Sequence, residues 1–213
     1  MKLYQSVGPN PRVVLFYLAE KGLEIDRAFV DIRAGENRQG EWLKKHPRGG
    51  IPVLELDDGS LISEATVICD YLDERFPEKP LVGATPEARA AVRSAIRHID
   101  YSIGSPMMNG FRSAEGLPMF KDRMLCVPEA APGNKAYAQD GLRQADALLA
   151  RQPFVAGDSF TLADIALFCW VEFGAMVGQP IPDDAAHLKA WRDKVAAMPS
   201  AIASADPKHG LAE

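Results

Sequence analysis

Few side chains in this 213-residue sequence stand at spacings that do chemistry. Cys69, Cys126 and Cys169 are odd in number, widely separated and set in apolar company. They read as reduced core thiols, not as a disulfide framework or a zinc site. His46, His98, His187 and His209 are equally scattered and show no metal-ligand spacing, so metal catalysis has no support. No Gly-rich phosphate loop and no Gly-x-Ser-x-Gly elbow occurs, which removes the signals for nucleotide and serine-hydrolase chemistry. What is left is a pair of polar residues at helix starts. Asn10 directly precedes Pro11, the pattern of an N-cap followed by proline at the first helical position. Glu64 opens another helix, where free backbone N–H groups attract an anion; taken alone, it is a routine acidic residue at a positive helix end.

The bulk properties narrow the classes further. Hydrophobic residues make up 47 % and charged residues 25 %, an ordinary globular balance, over a length sufficient for one large domain or two small ones. A net charge of −5 without any basic run argues against a nucleic-acid binder that works by phosphate neutralisation. The apolar stretches are far short of a membrane span, and Met1-Lys2-Leu3-Tyr4 lacks a signal-peptide core. A cytoplasmic protein is expected.

The elements that must position Asn10 and Glu64 follow from periodicity. Residues 2–5 and 28–32 read as strands, 11–21 as a helix ending at Gly22, and 40–45 as a short helix or turn. Residues 53–56 and 60–62 flank Asp57-Asp58-Gly59, whose Asp-Gly pair favours a β-hairpin turn, and 64–75 is a helix. The order is βαβ, helix, ββα. A proline-bracketed linker at 76–80 leads into helical sequence throughout: 86–109, a break containing Gly110, Gly116 and Pro118, and 134–150 after an interruption at 130–133. At Phe160-Thr161-Leu162-Ala163-Asp164-Ile165, Thr161 and Asp164 have the spacing of a capping box, with Phe160 and Ile165 as a hydrophobic staple.

Three ordered segments then converge: Gly50-Ile51-Pro52-Val53-Leu54, with a proline at a strand entrance that suits a bend or a cis bond; Glu64-Ala65-x-x-Ile68-x-x-Tyr71-Leu72; and Phe154-Val155-Ala156-Gly157-Asp158-x-Phe160-Thr161-x-Ala163-Asp164. Together they resemble the cytosolic glutathione transferases, over nearly the whole chain and in the right order. Gly8-Pro9-Asn10-Pro11-Arg12 and the stretch from Ile181-Pro182 to Trp191 are most similar to a fungal and bacterial subgroup that lacks the usual N-terminal Tyr, Ser or Cys. The resemblance implies an α/β thioredoxin-like N-terminal domain at 1–77, binding glutathione, and an all-α domain at 86–213, supplying a hydrophobic pocket. It also implies a homodimer acting in detoxification.

Residue by residue, the resemblance implies that Ile51, between Gly50 and Pro52, pairs its backbone with glutathione. It implies too that Glu64 meets the γ-glutamyl ammonium while the helix amides take the adjacent carboxylate. Ala65 replaces the family's habitual Ser, a loss of about 0.5–1.5 kcal/mol of hydrogen bonding. For the thiolate, Asn10 is the first candidate, as a cap, a sulfur contact or both, and Ser6 is the alternative hydroxyl. In the subgroup a Ser and a His hold a water against the sulfur; here Met108 and Ser113 stand in their places, against that route. Met107, Met108, Phe111 and Arg112 are candidates for the apolar pocket, though such Met and Phe residues are more often core. Arg97 and Asp100 are candidates for contact with glutathione across a dimer interface. The expected function is conjugation of glutathione, a co-substrate, to hydrophobic electrophiles. Glutathione-dependent peroxide reduction and a non-catalytic glutathione-binding module are the alternatives.

Overall fold

The computed structural model describes residues 1–208, and His209 lies outside the described residues. The chain divides into two compact units, Met1–Pro80 joined by residues 196–208, and Leu81–Val195. The first holds β1 (Lys2–Gln5), α1 (Pro9–Lys21), β2 (Asp26–Phe29), a 3-10 turn at Glu36–Arg38, α2 (Gly40–Lys45), β3 (Val53–Glu55), β4 (Leu61–Ser63) and α3 (Ala65–Arg75). The sheet order is β2-β1-β3-β4, with β1 parallel to β2 and antiparallel to β3. Asp57-Asp58-Gly59 closes the β3–β4 hairpin as expected: Gly59 takes φ 84°, and Asp58 accepts from the N–H and hydroxyl of Ser60.

Six consecutive residues of α1, Val13 to Leu18, are buried, so this helix is covered all round rather than along one stripe. It ends on Gly22 at φ 66°, with Leu23 N–H bonded back to the Leu18 carbonyl at 2.9 Å. Just before this end, the Lys21 ammonium is buried to 1 % exposure. It meets the Asp73 carboxylate at 3.1 Å and the carbonyls of Phe76, Glu78 and Lys79 at 2.6, 2.8 and 3.2 Å. The Tyr17 hydroxyl donates to the same carboxylate at 2.7 Å, and burial together with that partner holds its phenol far above the ordinary value.

Residues assigned above to the helical domain return to this first unit. In α10 (Pro199–Ala203), the Ser200 hydroxyl donates to Glu20, and Arg12 donates to the Ala201 carbonyl at 3.4 Å. Further on, the Gln5 amide donates to the Pro207 carbonyl and Lys208 lies 4.9 Å from the Phe29 ring. The expected boundary of 86–213 is corrected accordingly: α10 covers a face of α1 that local periodicity cannot reveal.

The second unit is helical: α4 (Pro86–Ile99), α5 (Ser105–Arg112), α6 (Leu117–Phe120), α7 (Ala131–Leu149), α8 (Leu162–Met176) and α9 (Ala186–Ala196). Where one helix over 86–109 is expected, a π-helical turn at Asp100–Gly104 joins α4 to α5. Two close approaches lie at it: a Cβ on Gly104 would stand 2.6 Å from the Trp170 ring, and one on Gly141 only 2.4 Å from the Ser102 carbonyl. No helix among the described residues is long and apolar enough to cross a membrane.

Ten consecutive residues of α8, Leu162 to Val171, are buried, and its start is built around Asp164. The capping box forms, and the same carboxylate takes on more. It accepts from Thr161 N–H at 2.9 Å, Thr161 Oγ1 at 3.2 Å, Val155 N–H at 2.9 Å and Trp191 Nε1 at 3.1 Å. Complete burial pushes the carboxyl above its ordinary value, and the four donors oppose that shift. Asp164→Asn turns an NH₂ group towards donors and leaves at least one of them unsatisfied. We expect the variant to lose at least about 2 kcal/mol in chemical denaturation, with an unchanged slope.

Candidate functional site

Strand register brings the dispersed candidates to one end of the sheet. Val53 pairs with Tyr4 on one side and with Ser63 on the other. The residues leading into β3, Gly50-Ile51-Pro52, therefore lie beside those leaving β1 and those leaving β4. The first lead into α1 through Gly8 and Pro9, and the second into α3 through Glu64 and Ala65. The Ile51–Pro52 bond is cis.

The start of α3 has an unusual backbone. Glu64, exposed, sits at φ 73° and ψ 119°, a conformation favoured by glycine, and its side chain makes no capping bond. For a residue with a Cβ this costs on the order of 1–3 kcal/mol. The first N–H of the helix to close on a carbonyl is that of Ile68, on Glu64, at 2.9 Å. The amides of Ala65, Thr66 and Val67 thus have no acceptor within α3, and the positive end of the helix faces the site. Ala65 is buried, so its methyl belongs to the packing beneath the helix start.

At the start of α1 the expected cap moves by two residues. Gly8 is the N-cap, at φ 121°, with Pro9 at the first helical position, so Asn10 lies inside the first turn. Two prolines two residues apart offer two helix starts, and the one chosen uses the glycine, which takes this φ without a Cβ penalty. Asn10 is exposed and its side chain caps nothing. Because Pro9 and Pro11 carry no N–H, Asn10 holds the single backbone donor among the first three helical residues. Ser6, the alternative donor, is 1 % exposed and gives its proton to the Val30 carbonyl at 2.6 Å. That bond ties β1 to the segment after β2 and leaves the hydroxyl no proton for a ligand.

The turn before Ile51 is held from beneath. Asn37 Nδ2 donates to the Gly49 carbonyl at 2.6 Å, and Gly49 itself has φ 58°, with a would-be Cβ 2.6 Å from the Asn37 carbonyl. His46, which sequence reasoning set aside as unpatterned, is buried here with its Nε2 3.6 Å from where a Cβ on Gly50 would stand. Burial pushes its imidazole below the ordinary value, Arg48 adds to that, and Glu64 opposes it. A signal was present in its position four residues before Gly50, but it carries weight only once the turn is known. Helix α2 is tied to the sheet by Lys45–Glu55 at 2.5 Å, Tyr4 donating to Glu55 at 2.7 Å, and Trp42 edge-on to Tyr4.

In the second unit the four pocket candidates separate. Met107 is fully buried, its carbonyl accepting from Gln179 Nε2 at 3.0 Å, and its sulfur and methyl crowd Gly174. It is core, and its assignment to a pocket is corrected. Met108, Phe111 and Arg112 are half-buried. Phe111 stands edge-on to Phe120 at 6.0 Å and to Phe173 at 5.4 Å, and the Arg112 guanidinium lies 5.3 Å from the Phe120 ring. Phe120 and Phe173 were missed because they come from α6 and α8. Ser113 is buried and accepts from Val127 N–H at 3.1 Å. Asp100 falls in the π-helical turn, and Arg97 in the last turn of α4.

Comparison with known proteins gives matches over both units. A family model described as glutathione S-transferase, N-terminal domain, matches residues 7–75, and one described as glutathione S-transferase, C-terminal domain, matches 127–199. Glutathione S-transferase 2 of Saccharomyces cerevisiae is 32 % identical over 203 residues, covering 94 % of this chain and 87 % of its own. Among solved structures, Gtt2 from Saccharomyces cerevisiae superposes with a TM-score of 0.90 at 30 % identity, covering 96 % of this chain and all of that one. A glutathione S-transferase domain-containing protein of Marinobacter aquaeolei VT8 gives 0.88 at 35 % identity, over 94 % and 99 % of the two chains.

The backbone at Glu64 generates a prediction with two opposite readouts. Glu64→Gly relieves the φ of 73° but adds chain entropy to the unfolded state, a partial offset of about 0.4–1 kcal/mol. We expect a net gain of about 1 kcal/mol in stability, measured by denaturant unfolding, together with weaker binding of glutathione by calorimetry. A stability loss would show that the side chain, not the backbone, sets the energetics at this position.

Proposed function

Because the chain belongs to the glutathione S-transferase family, we propose that it binds glutathione along the β3–α3 edge of its first unit and conjugates the thiolate to hydrophobic electrophiles. The observation that carries this reading is the backbone of Glu64, held where glycine is favoured at the head of a helix with unsatisfied amides. Such a conformation persists only where something compensates for it. In this reading the Glu64 carboxylate takes the γ-glutamyl ammonium. The amides of 65–67 take the neighbouring carboxylate, and Ile51 pairs its backbone with the peptide.

Chemistry then needs the sulfur as an anion at neutral pH. Each unit of lowering of a thiol pKa takes about 1.4 kcal/mol of differential stabilisation. The start of α1 supplies two donors from one residue, the backbone N–H and the carboxamide of Asn10, within the positive field of that helix end. Charge-assisted hydrogen bonds contribute roughly 1.5–3 kcal/mol each, enough for one to two units per donor. The thiolate lone pair forms the S–C bond, and the leaving group departs with the bonding pair. A cytoplasmic homodimer, implied by the resemblance, completes the proposal.

Asn10 gives the test. Since it caps nothing, Asn10→Ala should change stability by less than about 0.5 kcal/mol. It should nonetheless raise the thiol pKa of bound glutathione by about one unit, and Asn10→Asp, which adds a negative charge, by more. Thiolate absorbance of the complex is titrated against pH, alongside conjugation of a chloronitrobenzene. Titrations identical to the parent would remove Asn10 from the chemistry. Glutathione retained with no turnover in the parent protein would make the chain a binding module.

A further inference from the structure

His46 takes no part in the binding chemistry above, yet it is the titratable ring that the fold packs against the segment presenting Ile51. It ends α2, with its N–H bonded to the Trp42 carbonyl at 2.7 Å and its carbonyl accepting from Gly49 at 2.9 Å. The buried ring lies edge-on to Trp42, centroids 6.1 Å apart, and its Nε2 faces Gly50. The charges acting on it come from each element around it. Arg48 lies on its own turn, Glu64 at the head of α3, and the negative carbonyl end of α2 is its own attachment. Of these, Glu64 is a side chain that favours a charged ring and is also the carboxylate assigned to the ligand.

We propose that His46 is a positioning residue for the tripeptide site. Neutral, it packs behind Gly50 and leaves the Glu64 carboxylate to the ligand's ammonium; protonated, it competes with that ammonium for Glu64 and disturbs the Gly50–Ile51 segment. This rests on the role given to Glu64 above. The linkage has a definite sign. An ammonium on Glu64 cancels the attraction that favours the imidazolium, so ligand binding disfavours protonation of His46. Affinity is then complete above the titration of the free ring and falls as pH drops through it. Burial and Arg48 place that titration below the ordinary imidazole value of 6.5.

S-methylglutathione is the probe, because its blocked sulfur removes thiol ionisation from the pH profile. Calorimetry between pH 7.5 and 5.5 should show affinity in the parent protein falling by about 1.5- to 3-fold, the full loss being reached only below both the free and the bound titrations of the ring. His46→Gln should bind with little change across that window. Glu64→Gln at pH 7.5 is the control for the site itself: binding equal to the parent overturns the role of Glu64. If that variant binds weakly while the parent is flat with pH, or while His46→Gln keeps the parental slope, the inference about His46 fails and the site stands. Should His46→Gln not fold, the imidazole resonance of His46 in the parent decides. Saturation with the probe should move its titration to lower pH, and an unmoved titration overturns the proposal.

Discussion

A full positive charge at 1 % exposure constrains the first unit more than any apolar contact does. Lys21 sits at the end of α1, and its oxygen partners are the Asp73 carboxylate of α3 and three carbonyls just beyond that helix. Removing an ammonium from water costs several kcal/mol, and the four oxygens offset that only in close to one geometry. The interaction is therefore better understood as a fixture than as a source of net stability. Both helices that it holds by their far ends begin at the end of the sheet where Gly8, Asn10, Glu64 and Ala65 lie. Fixing one end of a rigid helix limits the position of the other, so the separation of the two helix starts is set at the opposite side of the unit.

Those helix starts differ in the donors they expose. The head of α3 keeps three consecutive amides, arranged by the unusual backbone of Glu64, and suits a carboxylate that can accept several bonds. The head of α1 has lost two of its donors to Pro9 and Pro11, which leaves Asn10 alone with a backbone N–H and a carboxamide. A single soft anion needs fewer donors than a carboxylate. The difference in chemistry between the two ends is thus written in proline content rather than in charged side chains.

Much of this was legible in the sequence because it is local. The Asp57-Asp58-Gly59 turn, the proline at the entrance of β3 and the Thr161–Asp164 cap each depend on residues within a few positions. Asn10 was misplaced for a local reason too: Gly8-Pro9-Asn10-Pro11 permits two helix starts, and only the packed structure selects one. The remaining differences are non-local. The π-helical turn lies where Gly104 meets Trp170 and Gly141 meets Ser102, pairs that periodicity cannot connect. The further partners of Asp164, Val155 and Trp191, lie on either side of the capping box in sequence. Met107 resembled pocket material because methionine serves both cores and pockets, and burial alone decides between them.

The return of α10 to α1 has a consequence for the order in which the protein is made. Domains usually fold as they emerge from the ribosome, the N-terminal one first. Here the sheet and its first three helices are translated early, but the face of α1 that meets Ser200 and Ala201 stays uncovered until α10 emerges. The whole second unit is synthesised in between and can complete its own core sooner. The first unit to be translated is therefore the last to be finished. An excised fragment ending at Pro80 would carry Asn10, Ile51, Glu64 and Ala65 and still present that bare helix face to solvent.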